Sequence, residues 1–270
     1  MSYARDTLAL LDRALLLVRN RFGPLVLLQL VLLALYVVGQ PLGDGPLLGI
    51  VTALLGYVVV PAWQTAAQLA LIDGELTQRR IDLGAAAGAG LRRVLPMSGW
   101  MLIRLLTIGL PALLSTLLIG PLVANLGAAA YGQALVALNL VWAIPALLFT
   151  TVWMVVPPLI VAERLGTLAA LRRGWALVRP QFWRVAWLGL AFGCFGLIQY
   201  VFVTFVGVAL SMWASSIVVS GLFGPVYAAL IGLPSLVLVP LTLASQALML
   251  HDLRATEAAT SAPVPQVNRV

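Results

Sequence analysis

The stretch "TLAALRRGWALVRPQFW" at residues 167–183 joins apolar residues at helical spacing to three arginines, two tryptophans and a proline. Projected as a helix at about 100° per residue, it places Trp175 on the apolar side and the arginines on the opposite arc, namely Arg172, Arg173 and Arg179. An apolar face, an arginine-lined face and a flanking tryptophan, Trp183, are typical of an amphipathic helix in a membrane interface. A nucleic-acid site would need a basic surface without a large apolar face, so we expect no nucleic-acid partner.

A second copy of this stretch begins the chain. Residues 7–22 read "TLALLDRALLLVRNRF", and nine of their 16 positions are identical to the residues 160 positions later. In projection, its apolar residues share one side of the helix: Leu8, Leu11, Leu15, Val18 and Phe22. Arg13 and Arg19 lie on the polar side. We therefore expect a second interfacial helix at this position.

A third, weaker copy lies halfway between these two. The "LRR" at residues 91–93 aligns Arg93 with Arg13 and Arg173 at half the offset. The sequence therefore predicts a three-fold internal repeat. Each unit contains an amphipathic cytoplasmic helix, a span out, a short loop and a kinked span back to an acidic residue. The units cover about 1–80, 81–165 and 166–254.

The composition places the chain among membrane proteins. Hydrophobic residues make up 62% of it and charged residues 9%, whereas a soluble domain is nearer half apolar and a quarter charged. A helix needs about 20 apolar residues to cross the hydrocarbon core. Six segments reach that length, at about 24–41, 47–72, 97–120, 134–161, 185–210 and 226–250. We expect an all-α, polytopic bundle of six transmembrane helices with cytoplasmic interfacial amphipathic helices.

The arginines predict the topology of this bundle. Nearly all of them fall before the first segment, in the alternate connections at 73–95 and 163–184, or in the C-terminal tail. The opposite connections contain none, at about 42–46, 121–133 and 211–225. Because basic residues favour the cytoplasmic side, we expect both termini in the cytoplasm of a multi-pass bacterial inner-membrane protein.

The domain boundary is expected near the end of the last repeat unit. Residues 1–254 form the predicted six-span membrane domain. Residues 255–270 are small, polar and proline-containing, which predicts a disordered cytoplasmic tail.

Strongly polar side chains inside the apolar segments are candidate functional groups, because they are costly in a bilayer. Arg104 lies near the start of the third segment. In one alternative its side chain snorkels to the interface or forms a structural ion pair. In the other it has a role with a substrate or in proton transfer. Gln64 and Gln68 lie four residues apart and share a helix face. This spacing favours hydrogen bonds between helices, with Gln29 or Gln199 as partners.

Carboxylates gather at the predicted cytoplasmic ends of the segments. They are Asp73, Glu75, Glu163, Asp252 and Glu257. We expect them to pair with interfacial arginines and hold the amphipathic helices against the bundle, and Asp252 and Arg254 are candidate functional polar residues. A hydrolase with a pair of catalytic carboxylates is a more specific alternative, but the spacing of these carboxylates in the sequence does not require it.

The sequence contains no motif of a known catalytic site. A Gly-rich phosphate loop, a nucleophile elbow and an HExxH motif are all missing from it. One cysteine and one histidine are too few for the usual Cys/His zinc site. We expect no catalytic residues, no metal and no cofactor, and we expect that the protein is not an enzyme.

Two runs resemble the membrane domain of the glycerophosphoryl diester phosphodiesterase family. They are "ALRRGWALVRPQFWRV" at 170–185 and "LTLASQALMLHDLRATEAA" at 241–259, in which His251, Asp252, Leu253 and Arg254 occupy the place of the family's aromatic-Asp-Leu-Arg ending. The resemblance implies a six-span membrane domain. It does not imply phosphodiesterase activity, because that activity belongs to a separate soluble barrel domain.

The leading hypothesis is a structural or accessory membrane module. It would organise membrane lipids or a membrane-protein partner through its basic cytoplasmic helices. The alternative is a transporter or lipid-handling permease, which is suggested by Arg104 and by the prolines in the apolar segments.

Overall fold

The computed structural model describes residues 2–39, 54–109, 153–192 and 217–261, together with Leu117 and Phe149. Within these ranges every regular element is a helix and no strand occurs. The predicted all-α class is therefore confirmed for this part of the chain. Gln199, residues 47–53 of the second predicted segment and much of the third to fifth lie outside it.

The first interfacial copy and the first predicted span are separate helices. Helix α1 covers Ser2–Asn20 and α2 covers Phe22–Gly39. The two meet at Arg21 with a bend of 80°. Pro24 lies in the first turn of α2, where its missing N–H costs little. An amphipathic helix followed by a sharp bend into an apolar helix agrees with the predicted arrangement.

The middle copy differs from the first, because its interfacial part and the start of the third segment form one helix. Helix α3 covers Val60–Leu76 and follows a π-helix at Leu55–Val59. Helix α4 covers Leu83–Arg104 and continues through Pro96. The Asp82 side chain accepts a hydrogen bond of 2.6 Å from the Ala85 N–H, which caps α4. This cap and close packing on α3 offset the weak helical propensity of the glycines.

The third copy is interrupted by a turn at the position equivalent to the bend of the first. Helix α5 is short and covers Val156–Ala162. Helix α6 covers Thr167–Val178, a 3₁₀ turn follows at Arg179–Gln181, and helix α7 covers 182–192.

The last helix is longer than expected at both ends. Helix α8 covers Ile217–Ser261, whereas the sequence predicts a span at about 226–250. Residues 255–261, which we expected within the disordered tail, are helical instead, and the rest of the predicted tail lies outside the described residues. Threonine hydroxyls bond back to carbonyls one turn earlier, and Glu257 is held by Arg173. The threonine bonds follow from the helical backbone, whereas the contact with Arg173 of another helix favours the extension.

One helix in the described ranges, Ser235–Thr260 within α8, is long and apolar enough to cross a membrane. A second is added when the bent pair Asp6–Asn20 and Phe22–Val31 is taken as one span. Buried helices of soluble proteins also meet this criterion. The predicted six-span bundle therefore does not follow from the described helices.

Three helix ends form the centre of the fold. We call α3, α5 and the C-terminal half of α8 the return helices, and these three contact one another. We call α1, α4 and α6 the interfacial helices. Helix α4 packs mainly on α3, α6 on α5, and α1 on α8. Each interfacial helix thus packs on the return helix of the preceding repeat unit, and α1 on α8 closes the ring.

The burial of side chains repeats between the first and third copies. Residues 6–31 and 166–191 are buried, half-buried or exposed at the same positions, apart from three pairs, which are Arg13 with Arg173, Phe22 with Phe182, and Val31 with Ala191. Both interfacial helices bury the same stripe: Leu10, Ala14, Leu17 and Val18 in α1, and Ala170, Gly174, Leu177 and Val178 in α6. In α4 the equivalent Gly90 and Met97 are also buried. This agreement supports the predicted repeat.

Candidate functional site

Ion pairs join the interfacial helices to the return helices. The Arg21 Nε lies 2.7 Å from a Glu75 carboxylate oxygen at the end of α3. Asp252, near the end of α8, lies between two arginines of different copies: Arg13 at 3.6 Å and Arg184 at 3.1 Å. One carboxylate therefore holds both α1 and the start of α7.

Glu163 and Glu257 form a second group of ion pairs. Arg254 donates to Glu163 Oε1 through Nε and an Nη atom, at 3.0 and 2.7 Å. Arg173 lies 3.8 Å from Glu163. Its two Nη atoms donate to the two Glu257 oxygens at 2.8 and 2.5 Å. This fork-shaped contact links α6 to α8.

The Arg173–Glu257 contact shifts both pKa values. Hydrogen bonds from Arg173 hold the pKa of the Glu257 carboxyl below its ordinary value, and the charge of Arg173 adds to this effect. Hydrogen bonding to Glu257 likewise raises the pKa of Arg173. Glu257 lies beyond the apolar part of α8, so the pair is exposed to water and contributes modestly to stability.

The prediction that carboxylates at the ends of the segments pair with arginines is confirmed for four of them: Glu75, Glu163, Asp252 and Glu257. Asp73 is different, because no cation lies within 4.0 Å of its carboxylate among the described residues. It lines a cavity of about 60 Å³ between the return helices, together with His251 and Arg254. A water needs about 10–15 Å³ of such space, so this cavity has room for a few waters.

Other interfacial arginines have no carboxylate partner in the described parts of the chain. Arg19, Arg92, Arg172 and Arg179 are exposed. Arg93 donates to the Arg164 carbonyl oxygen at 3.3 Å. The arginines therefore divide into one set that holds the helices together and another that faces outward.

Large apolar side chains are exposed beside the unpaired arginines. Three equivalent positions of the repeat are exposed: Leu15 at 47%, Leu95 at 81% and Trp175 at 50%. Leu8 and Leu168 are another exposed equivalent pair, and Trp183 is 69% exposed. Exposed large apolar side chains thus recur at equivalent positions of α1, α4 and α6.

The buried glutamines connect three helices, as the sequence predicts. Gln64 and Gln68 of α3 both donate to the Gln29 side-chain oxygen of α2. Gln68 also donates to the Leu25 carbonyl oxygen at 3.1 Å, and Gln29 donates to the Ser235 hydroxyl of α8 at 3.4 Å. Helix–helix hydrogen bonding, with Gln29 as the partner, is therefore confirmed.

Arg104 lies at the C-terminal end of α4 with an exposed side chain. It does not line the cavity between the return helices. Helix α4 continues directly into a π-helix at Leu105–Gly109, so Arg104 is not at a free helix end. Its role, as a snorkelling or ion-paired side chain or as a substrate or proton group, stays a prediction.

Sequence reasoning did not select Arg184 or Gly90 as important positions. Arg184 reaches Asp252 because of the 3₁₀ turn at Arg179–Gln181, and the sequence pattern does not predict the geometry of that turn. Gly90 lies where α4 closely approaches α3. A Cβ added there would lie 2.7 Å from the Trp63 carbonyl oxygen. The alignment of Gly90 with two apolar residues, Leu10 and Ala170, was the available signal.

No group of three or more potential metal ligands comes together within the part of the chain that the structure describes. No family model, curated protein or solved structure matches the chain. The resemblance to the phosphodiesterase membrane domain therefore remains a hypothesis.

Proposed function

We propose that the protein is a multi-pass bacterial inner-membrane protein that acts as a structural or accessory module, with both termini in the cytoplasm. In this proposal six spans carry three interfacial helices on the cytoplasmic side. The observation that carries it is the exposure of Leu15, Leu95 and Trp175 at equivalent positions, next to arginines without carboxylate partners. Apolar groups beside arginines suit the boundary between acyl chains and headgroups.

The ion pairs support a fixed platform rather than a moving gate. Asp252 and Glu163 each contact arginines of two elements. Such pairs hold α1 and α6 at set positions on the return helices. A module that organises lipids or a partner needs such a constant surface.

Spin labels can test whether the interfacial helices lie in the bilayer. The label is placed at Leu168 or Leu95, by Leu168→Cys or Leu95→Cys in a Cys194→Ala background, and the protein is reconstituted in lipid vesicles. We expect both labels to be more accessible to oxygen than to a water-soluble nickel reagent. A control label from Ala255→Cys, at the exposed end of α8, should favour the nickel reagent. Water-like accessibility at all three positions would contradict the proposal.

Within the described residues, a cavity lined by Asp73, His251 and Arg254 is the structural observation that bears on the transporter alternative. Its size suits waters rather than an organic substrate, and Arg104 is not part of its lining. Thermal stabilisation by a candidate substrate, lost in Arg104→Ala, would favour transport. Unchanged melting across candidate substrates would favour the structural module.

A further inference from the structure

We infer that the outward face of α6 and of the turn that follows it, formed by Leu168, Arg172, Trp175 and Arg179, binds the phosphate headgroups of anionic phospholipids in the bilayer. The equivalent faces of α1 and α4 are weaker versions of the same site. This inference rests on the proposed function, because it requires that α6 lies at a membrane surface.

The first argument is the division of the arginines along α6. The Arg173 guanidinium forms ion pairs with Glu257 at 2.5 Å and with Glu163 at 3.8 Å. Arg172 and Arg179 are exposed and have no carboxylate within 4.0 Å among the described residues. The same division recurs in α1, where Arg13 reaches Asp252 while Arg19 is exposed. The two carboxylates that α6 contacts, Glu163 and Glu257, are thus already paired.

The second argument is spacing. Leu168, Arg172, Trp175 and Arg179 follow one another by four, three and four residues, so they share one face of the helix and the turn that follows it. The expectation that Trp175 lies opposite Arg172 and Arg179 is therefore wrong, and of the three arginines only Arg173 points away from this face. This face is exposed, whereas the stripe through Ala170 and Leu177 is buried. Two guanidinium groups therefore flank an exposed indole.

The third argument is the chemistry of the occupant. A guanidinium donates two parallel hydrogen bonds to a phosphate. An indole at headgroup level keeps its apolar ring in the acyl region and its N–H near water. An anionic phospholipid presents a phosphate above acyl chains, and it has no positive group to repel the arginines. A zwitterionic headgroup offers the same phosphate with a compensating cation.

The three copies should differ in strength because their charges differ. The position of Arg172 is held by Arg92 in α4 and by Asp12 in α1. The position of Arg179 is held by Arg19 in α1 and by Gly99 in α4. Only α6 has both arginines, so it is the strongest site of the three.

The test compares lipid preference in the full-length protein. The protein is extracted from vesicles that contain equal parts of phosphatidylglycerol and phosphatidylcholine, and the retained lipids are counted by native mass spectrometry. We expect enrichment of phosphatidylglycerol. Arg172→Gln with Arg179→Gln should reduce it by up to about five-fold for each arginine removed. Arg79→Gln with Arg80→Gln removes the same charge from an exposed loop and should leave most of the enrichment intact.

Two results would overturn this inference. One is equal retention of the two lipids by the unaltered protein. The other is an equal loss of enrichment in both double variants, which would show a general effect of net charge. Inorganic phosphate added at millimolar concentration should not compete, since the bilayer supplies the apolar contacts. If Leu168 labels are water-exposed, the proposed function has failed. If they are lipid-embedded but no lipid preference exists, only the present inference has failed.

Discussion

Gly90 lies where α4 crosses α3, and its missing side chain allows the two helices to approach closely. An added Cβ would lie 2.7 Å from the Trp63 carbonyl oxygen and 3.0 Å from the Ala67 nitrogen. Both atoms belong to the backbone of a buried helix, so they cannot move aside cheaply. Small residues at helix crossings serve the same purpose in membrane bundles.

We expect Gly90→Ala to lower the free energy of unfolding by about 1–3 kcal/mol through overpacking. The measurement is unfolding of the purified protein in detergent. Gly88→Ala is the matched control, because no atom lies within 4 Å of its added Cβ. That variant should gain about 0.5–1 kcal/mol from helical propensity. Equal behaviour of the two variants would contradict the close crossing of α3 and α4.

Gln29 is the shared acceptor of the buried glutamines. Gln29→Leu removes the oxygen that receives both Gln64 and Gln68, and buried amide donors without partners cost about 1–3 kcal/mol. We expect the melting temperature to fall. The double variant Gln29→Leu with Gln64→Leu should recover part of the loss, because neither partner then needs a hydrogen bond. A double variant that is less stable than the sum of both changes would argue against this pairing.

At the scale of elements, α1 is attached to the last helix of the chain rather than to its own repeat unit alone. The Asp252 carboxylate holds it through Arg13, at 3.6 Å, and also holds Arg184 of α7. We expect Asp252→Asn to cost about 1–2 kcal/mol. Backbone amides of α1 should then exchange about 5–30-fold faster. Asp6→Asn, which removes an exposed charge from α1 itself, should leave exchange unchanged, and acceleration in both variants would contradict the role of Asp252.

The contact between α6 and α8 through Arg173 and Glu257 should depend on pH. The pKa of Glu257 is below its ordinary value of 4.5 in the folded protein. The pair therefore stabilises the fold above that value, and the stabilisation is lost as the pH falls through the folded-state pKa. Glu257→Gln should melt earlier than the unaltered protein at neutral pH. The two should converge well below pH 4.5, and a difference that persists there would show that the pair is not its source.

The sequence predicts the elements unevenly, and the reasons are physical. Hydrophobic periodicity locates α1 and α6, because a half-buried helix needs an apolar stripe. It understates α4, since glycines that weaken local propensity are what allow close packing on α3. It ends α8 too early, because the turns beyond Arg254 depend on Glu257 meeting Arg173 from another helix. Ion pairs between distant residues carry no periodic signal, although the charges at helix ends predict that such pairs form.

Across the described helices, the packing of each interfacial helix on a return helix accounts for the agreement in burial between residues 6–31 and 166–191. Equivalent positions bury the same stripe because each helix packs on an equivalent neighbour. The candidate surface was predictable from the first and third copies. The sequence did not predict which arginines form ion pairs and which face outward. That division depends on where Glu163, Asp252 and Glu257 lie in space.

The most direct test of the account is the topology of the chain in the membrane. Reporter domains are fused after Ala128, within a predicted exterior connection that lies outside the described residues, and after Val270. We expect a periplasmic signal from the Ala128 fusion and a cytoplasmic signal from the Val270 fusion, since the arginine-rich segments favour the cytoplasm. A cytoplasmic signal from the Ala128 fusion would contradict the six-span bundle and the cytoplasmic position of its interfacial helices.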